Sequence, residues 1–399
     1  MLESDHLRTS ALVSVAAFPH HGLQEPKLRT TNWSRRVLAK TGNAVAESEN
    51  IVAQTAERIF ADLADAQAIN RDSNGGWKAP LWQALSEAGL PLSWVAEDCG
   101  GSGASLAEGF GVLSAAGRFA LSLPLAETML AGWLLSQARI ASPEGAMTLA
   151  PANPKDAIAY GADGTLSGRA RDIPFAREAG HVAVLAHGSE GPRIALVKAD
   201  ACRIEPGLSL GGDANDTAWF SHVVPLAIRS APEGFDLTSL LLMGAVARSL
   251  QIAGALESML DISVRYAGER VAFEKKISKF QAVQHNLARL AGESAAALAA
   301  ATSAADTLAS GVLSGDAAFL EAAAAKIRCA EAAEKGAAIA HQVHGAMGFT
   351  YEHSLHHATR RLWTWREEFG NEAVWAARLG RMVAERGADE LWPFITAGS

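Results

Sequence analysis

The chain has 399 residues, enough for two or three domains around a large buried core, and 49% hydrophobic content with 10 tryptophans excludes a disordered polypeptide. A formal net charge of −8 and a sequence pI near 5.9 leave no dominant basic face, which argues against a nucleic-acid binder. Cys99, Cys202 and Cys329 stand too far apart for a metal-ligand set and read as reduced thiols of a cytoplasmic protein, and no run of about 18 apolar residues marks a membrane span.

Residues 1–46 mix His, Arg, Thr and Pro without a sustained period and are expected to form a disordered extension. Ala11 to Phe18 is apolar, but Asp5 and the lack of a small-residue cleavage site argue against a secretory signal. Residues 47–147 read as an N-terminal helical domain. Ile51, Ile59, Phe60 and Leu63 recur at helical spacing, and Pro80 stands in the first turn of a helix that Gly89 closes. Cys99-Gly100-Gly101-Ser102-Gly103 forms a glycine-rich loop. Ser105 and Glu108 fit a capping box, and Pro124 starts an apolar helix through Leu135.

The period changes in residues 148–234. Ala157–Tyr160, Thr165–Gly168, His181–Leu185 and Arg193–Val197 are short runs bounded by Gly, Asp or Pro, as in an antiparallel β domain of sandwich or barrel type. Residues 235–399 read as a C-terminal helical bundle of four long antiparallel helices. Alanine-rich segments cover roughly 237–270, 279–311 and 315–343, the last with an apolar stripe at Leu320, Ile327, Ile339 and Val343. The fold class is therefore α+β: helices, then a β domain, then a bundle.

Two runs carry candidate chemistry. The first is the turn from Gln342 to Glu352, with Gly345 and Gly348 three residues apart before Arg360-Arg361-Leu362. Glycines let a ligand reach bare backbone, and N–H groups at a helix start favour an anion such as phosphate; the same pattern also serves as a plain helix cap. The second run, Arg270 to His285, breaks one helix and starts another. Arg270 suits a phosphate, Phe273 and Phe280 offer aromatic surface, and Gln281 offers amide hydrogen bonds. An exposed basic loop with stapling phenylalanines is the alternative.

Together these runs, Arg-x-x-Phe-x-x-x-Ile-x-x-Phe-Gln-Ala-Val-Gln-His and then Gln-x-x-Gly-x-x-Gly-Phe-Thr-x-Glu, resemble the acyl-CoA dehydrogenase family. The resemblance extends through Trp82–Leu90 and Glu97–Gly103 and covers roughly residues 50–390 in one order. It implies FAD held between the β domain and the bundle, with contacts that cross the interface of a dimer or of a dimer of dimers. Arg270, Phe273 and Gln281, with Gln342, Gly345 and Gly348, would meet the phosphate and adenosine half of a neighbouring subunit's flavin. The implied reaction removes two hydrogens from an acyl-CoA thioester. A carboxylate takes the α-proton, flavin N5 accepts the β-hydride, and electrons pass to an electron-transfer flavoprotein.

The chain departs from the family at the chemistry itself. Many relatives carry the base in a Tyr-Glu-Gly turn about 20 residues after the Gly-Phe pair. Here Glu367-Glu368-Phe369-Gly370 stands in that region, and a direct count puts Phe369 at the position of the base. Glu368 is the candidate catalytic residue and Glu367 its alternative, against a reading of both as a solvated pair at a helix end. Glu372 reads as a first-turn charge. Other relatives place the base on the first bundle helix, but Asp236, the nearest acid there, reads as an N-cap.

The aromatic and hydroxyl runs that cover the flavin ring in relatives are replaced by Ala150–Pro154 and Arg171–Ala176, and Ala346 replaces a glycine common in the cofactor turn. These losses fit one subunit of a heteromer, of the kind that acts on steroid side chains and other bulky acyl-CoAs. A non-catalytic subunit and a flavin monooxygenase or oxidase of the same fold are the other readings. His344, His353, His356 and His357 cluster without metal-site spacing and read as surface or interface residues, while Gly244, Ala245 and Ala247 would leave room for a bulky acyl group.

Overall fold

The computed structural model describes residues 50–72 and 74–396; the expectation for residues 1–46 lies outside them. Among the described residues the first five α-helices are α1 (Ile51–Leu63), α2 (Ala66–Arg71), α3 (Lys78–Glu87), α4 (Leu106–Arg118) and α5 (Leu125–Gln137). Local chemistry sets their starts. Asn50 accepts the Ala53 N–H at 2.8 Å, and Ser105 and Glu108 close the expected capping box, with Glu108 Oε2 accepting the Ser105 N–H at 2.8 Å. α5 is buried on every face along most of its length, and that buried run includes Glu127.

The middle of the chain forms one eight-stranded sheet. Its strands are β1 (Met147–Ala150), β2 (Ala157–Tyr160), β3 (Leu166–Pro174), β4 (His181–Gly188), β5 (Gly191–Lys198), β6 (Arg203–Glu205), β7 (Asn215–Val223) and β8 (Ala227–Ser230). The order is β6-β7-β3-β2-β4-β5-β8, with β1 on β4. Most pairs are antiparallel, as expected. However, β1 and β2 follow one another along the same edge of β4, and both run parallel to it, so the sheet is mixed. Ile158, Ile173, Val184, Val197 and Phe220 fill a core on one face of the sheet.

The C-terminal part comprises α6 (Leu237–Glu269), α7 (Gln281–Ala309), α8 (Gly315–His344), α9 (Leu355–Glu367), α10 (Glu372–Arg386) and the short α11 (Leu391–Thr396). Between α6 and α7 lies a small hairpin of β9 (Val271–Ala272) and β10 (Lys275–Lys276). Asp236 caps α6 as expected, accepting the Ser239 N–H at 3.1 Å. By length and composition α6 is apolar enough to cross a membrane, but that stretch is 100% buried inside the fold, as in the central helix of a bundle. All three cysteines are free and buried.

The N-terminal helices and the bundle share one continuous hydrophobic core. They are joined at a glycine crossing of α4 and α6. A Cβ on Gly254 would stand 2.2 Å from the Ser114 carbonyl oxygen, and one on Gly117 would stand 2.2 Å from that of Gln251. No side chain can relieve either clash, because the obstacle is backbone. Gly254→Ala should therefore lower the unfolding free energy by about 1–3 kcal/mol, read as an earlier urea midpoint at unchanged slope.

Candidate functional site

α9 ends at Glu367, and the four residues that follow turn the chain into α10, where Asn371 caps the helix by accepting the Val374 N–H at 3.1 Å. Two devices fix this turn. Lys326 of α8 donates to the Glu368 carbonyl at 2.8 Å and to the Trp365 carbonyl, so it supplies partners for the C-terminal carbonyls of α9. Phe369 then takes a left-handed φ of 55° and Gly370 one of 89°. The Phe369 ring lies against Gly244 of α6, where an added Cβ would be 2.3 Å from it. The space that Gly244 opens is thus filled by the chain itself.

Glu368 turns inward beside Phe369. Its carboxylate meets Arg248 Nε at 2.5 Å. The same guanidinium pairs with Glu127 of α5 and donates to Gln251 Oε1 at 2.5 Å. Arg248, Glu127 and Glu368 are 2%, 1% and 8% exposed. Burial pushes the Glu368 pKa up to about 7; the Glu127 charge adds to this, and Arg248 pulls against it. Burial likewise pushes Lys326 down to about 7.

A small space on one side of this cluster measures about 10 Å³, between Leu121, Leu123, Phe175 and Trp365. That is room for one water at most. A larger cleft of about 500 Å³ runs between Asn153, Arg171 and Asp172 of the β domain, Leu208–Leu210, and the turn from Glu367 to Asn371. Two of its polar groups are already engaged: Arg171 pairs with Asp156 at 2.6 Å, and Asn153 donates to Asp172 at 2.9 Å. Phe369 is its one aromatic lining residue, and that ring is packed on Gly244. As a seat for a flavin ring this cleft fits poorly, with no free ring to stack and acids at Asp172 and Glu367.

The structure brings the residues expected at the adenosine end together elsewhere. Because α6, α7 and α8 run antiparallel, the end of α6, the start of α7 and the end of α8 share one end of the bundle. Arg270 and Gln281 are exposed there, and Phe273 is 89% exposed at the tip of the β9–β10 hairpin, edge-on to Phe280. Gln342 is exposed on the last turn of α8. The two glycines differ. Gly345 has a φ of 58° and open space around it, so its backbone is bare. Gly348 is buried, and a Cβ there would stand 2.9 Å from that of His344. Ala346 keeps a negative φ, so its methyl is tolerated. The turn is a 3₁₀ segment, Gly345–Phe349, and α9 begins only at Leu355, so no α-helix N-terminus follows the glycines directly. Lys326, which holds the Glu368 carbonyl, stands 18 residues before the end of α8, so this end lies about 27 Å from Glu368.

Several sequence expectations change. The solvated-pair reading holds for Glu367, which is exposed, and fails for Glu368, which is buried. His344 is buried and stacks on Tyr266 at 4.4 Å, so it is a packing residue and not a surface one. No group of His, Cys, Asp or Glu among the described residues could hold a metal. Glu127, Arg248 and Lys326 are not apparent from sequence; for Glu127 and Arg248 the signal is a lone charge in an otherwise apolar helical run, whereas Lys326 has charged neighbours such as Arg328 on its helix.

Residues 233–384 match the family described as acyl-CoA dehydrogenase, C-terminal domain. Acyl-CoA dehydrogenase IpdE2 of Mycobacterium tuberculosis is 26% identical over 313 residues, covering 78% of this chain and 89% of that protein. Its C-terminal part thus carries the acyl-CoA dehydrogenase C-terminal domain, and the chain as a whole is similar to acyl-CoA dehydrogenases. Its fold matches the ChsE4–ChsE5 complex of Mycobacterium tuberculosis with a TM-score of 0.76 at 23% identity, over 86% of this chain and 98% of the other. It also matches a variant of the Tcur3481–Tcur3483 steroid ACAD, with a TM-score of 0.74 at 24% identity, over 84% and 97%.

In the folded chain Glu368 holds its proton up to about pH 7, against 4.5 for the ordinary group. The cost of ionising it is present in full above pH 7 and disappears as pH falls toward 4.5. This group should therefore make stability rise by about 1.4 kcal/mol per pH unit on going from 7 down to 4.5. Lys326, with its pKa lowered to about 7, exerts its own dependence above pH 7 and leaves the lower window to Glu368. Glu368→Gln should flatten that slope in urea titrations across the window; an unchanged slope would show that Glu368 does not titrate there.

Proposed function

We propose that this chain is one subunit of a heteromeric acyl-CoA dehydrogenase, contributing the adenosine end of a flavin site that is completed by its partner. The observation that carries the reading is the engaged carboxylate: Glu368 is 8% exposed and paired to buried Arg248, and the cleft of about 500 Å³ that its turn borders fits a flavin ring poorly. A base for α-proton removal needs a free carboxylate within reach of the substrate carbon and space for the acyl group. Glu368 is held by Arg248 and is not free, and Phe369 stands where the family's glutamate would be. We therefore assign the base to the partner subunit. The alternative, α,β-dehydrogenation of an acyl-CoA by this chain with Glu368 as base, would require the Arg248 cluster to open.

The other end of the bundle supports a binding role. Arg270, Phe273, Gln281 and Gln342 project from one surface around the bare backbone of Gly345. Arg270 suits a diphosphate and Phe273 an adenine face. FAD bound there from the partner would supply the electron sink, with an electron-transfer flavoprotein as acceptor. That two of the matched structures are two-component assemblies, one named a steroid enzyme, favours a bulky acyl-CoA as substrate.

The test compares the chain alone with the chain co-expressed with a family partner that keeps the Tyr-Glu-Gly turn. The lone chain should show no acyl-CoA oxidation. The complex should carry flavin absorbance and turn over, and Arg270→Gln should lower its flavin content about tenfold at limiting FAD. Full turnover by the lone chain, abolished by Glu368→Gln, would sink the proposal.

A further inference from the structure

A cavity of about 380 Å³ lies where α2, the start of α3, the Gly211–Asp213 loop and the first turns of α9 meet. It is separate from both the Arg248 cluster and the Arg270 surface. Three cations line it, Lys78, Arg360 and Arg361, with two acids, Asp72 and Asp213. Both acids are engaged. Asp72 accepts the backbone N–H groups of Asn74 and Trp77, each at 3.1 Å. Asp213 accepts from Arg361 at 3.2 Å and from the Ser122 hydroxyl.

The cations are less completely matched. Lys78 and Arg360 have no acidic partner among the described residues; Arg360 donates only its Nε, to the Leu210 carbonyl at 2.9 Å. Gly212, with a φ of 85°, leaves room for that guanidinium, since a Cβ there would stand 3.1 Å from Arg360 Nη2. Arg361 is 6% exposed, and its buried Nε has no acceptor among the described residues. The positive field is felt at His357. Its pKa is pushed down to about 4 by burial and then by His356, Arg361 and Arg360, with Asp213 opposing.

Rings complete the lining. His356 and His357 lie 4.1 Å apart, Tyr351 stands edge-on to His356 at 5.5 Å, and Trp77 borders the same space. The neutral His357 donates Nε2–H to Asn70 Oδ1, which fixes its ring. We propose that this cavity binds a small organic anion, a carboxylate or phosphate carried on a planar ring. The volume suits such a ligand, a guanidinium fork matches either oxyanion, and the aromatic edges match the ring.

Calorimetric titration of the purified full chain with phenyl phosphate and with benzoate separates the two anions, and benzyl alcohol supplies a neutral ring. At least one anion should bind saturably and more tightly than benzyl alcohol, with affinity reduced about tenfold in Arg360→Gln and in Lys78→Gln. Lys78 is only half-buried, so its variant should keep the fold, checked by circular dichroism. The His357 ring resonances should move during the titration. No saturable binding of either anion, equal binding of benzyl alcohol, or unchanged affinity in both folded variants would overturn the proposal.

Discussion

The guanidinium of Arg248 between two buried carboxylates is the interaction on which the centre of this molecule depends. It joins α6 to Glu127 on α5 and to Glu368 beyond α9, so one side chain ties the N-terminal helices, the bundle and the last turn together. Such a pair adds little net stability, since desolvating the charges offsets most of their attraction, but removing one member leaves a buried charge and costs about 3–5 kcal/mol. Its effect is therefore on geometry. With Lys326 holding the carbonyls on the other side of the turn, Glu368 faces inward and Phe369 lies in the groove beside Gly244.

What the sequence disclosed was local. The Ser105–Glu108 box, the Asp236 cap and the strand runs all depend on residues a few positions apart, and each is where its pattern placed it. What it concealed was long-range. Nothing in Met147–Ala150 or Ala157–Tyr160 announces that both will lie along one edge of β4, because parallel pairing is decided by the strand that arrives later. Glu127 and Arg248 are 121 positions apart, and only packing shows that they meet.

Gly244 shows the limit of reading small residues as empty space. From sequence it offers room for a bulky ligand; in the fold the room belongs to Phe369. The turn glycines divide in the same way. Identical in the motif, they answer different constraints, since Gly345 needs a positive φ in the open and Gly348 needs the absence of a Cβ against His344. A motif of this kind can therefore persist partly for packing, and only its Gly345 half bears directly on a ligand.

The two ends of α9 have opposite characters. At one, aromatic, amide and guanidinium groups face solvent around bare backbone; at the other, Arg248, Glu127 and Glu368 are buried against one another. A self-sufficient homomer of this kind would need an open carboxylate in one copy beside the flavin that the surface of a second copy holds. Here the proposed cofactor surface is exposed, and Glu368 is paired to buried Arg248. A second chain that supplies a carboxylate and lays its flavin on this surface removes that mismatch without any rearrangement of the buried cluster. That economy is the physical argument for assembly with an unlike subunit, since a second copy of this chain would bring the same closed centre.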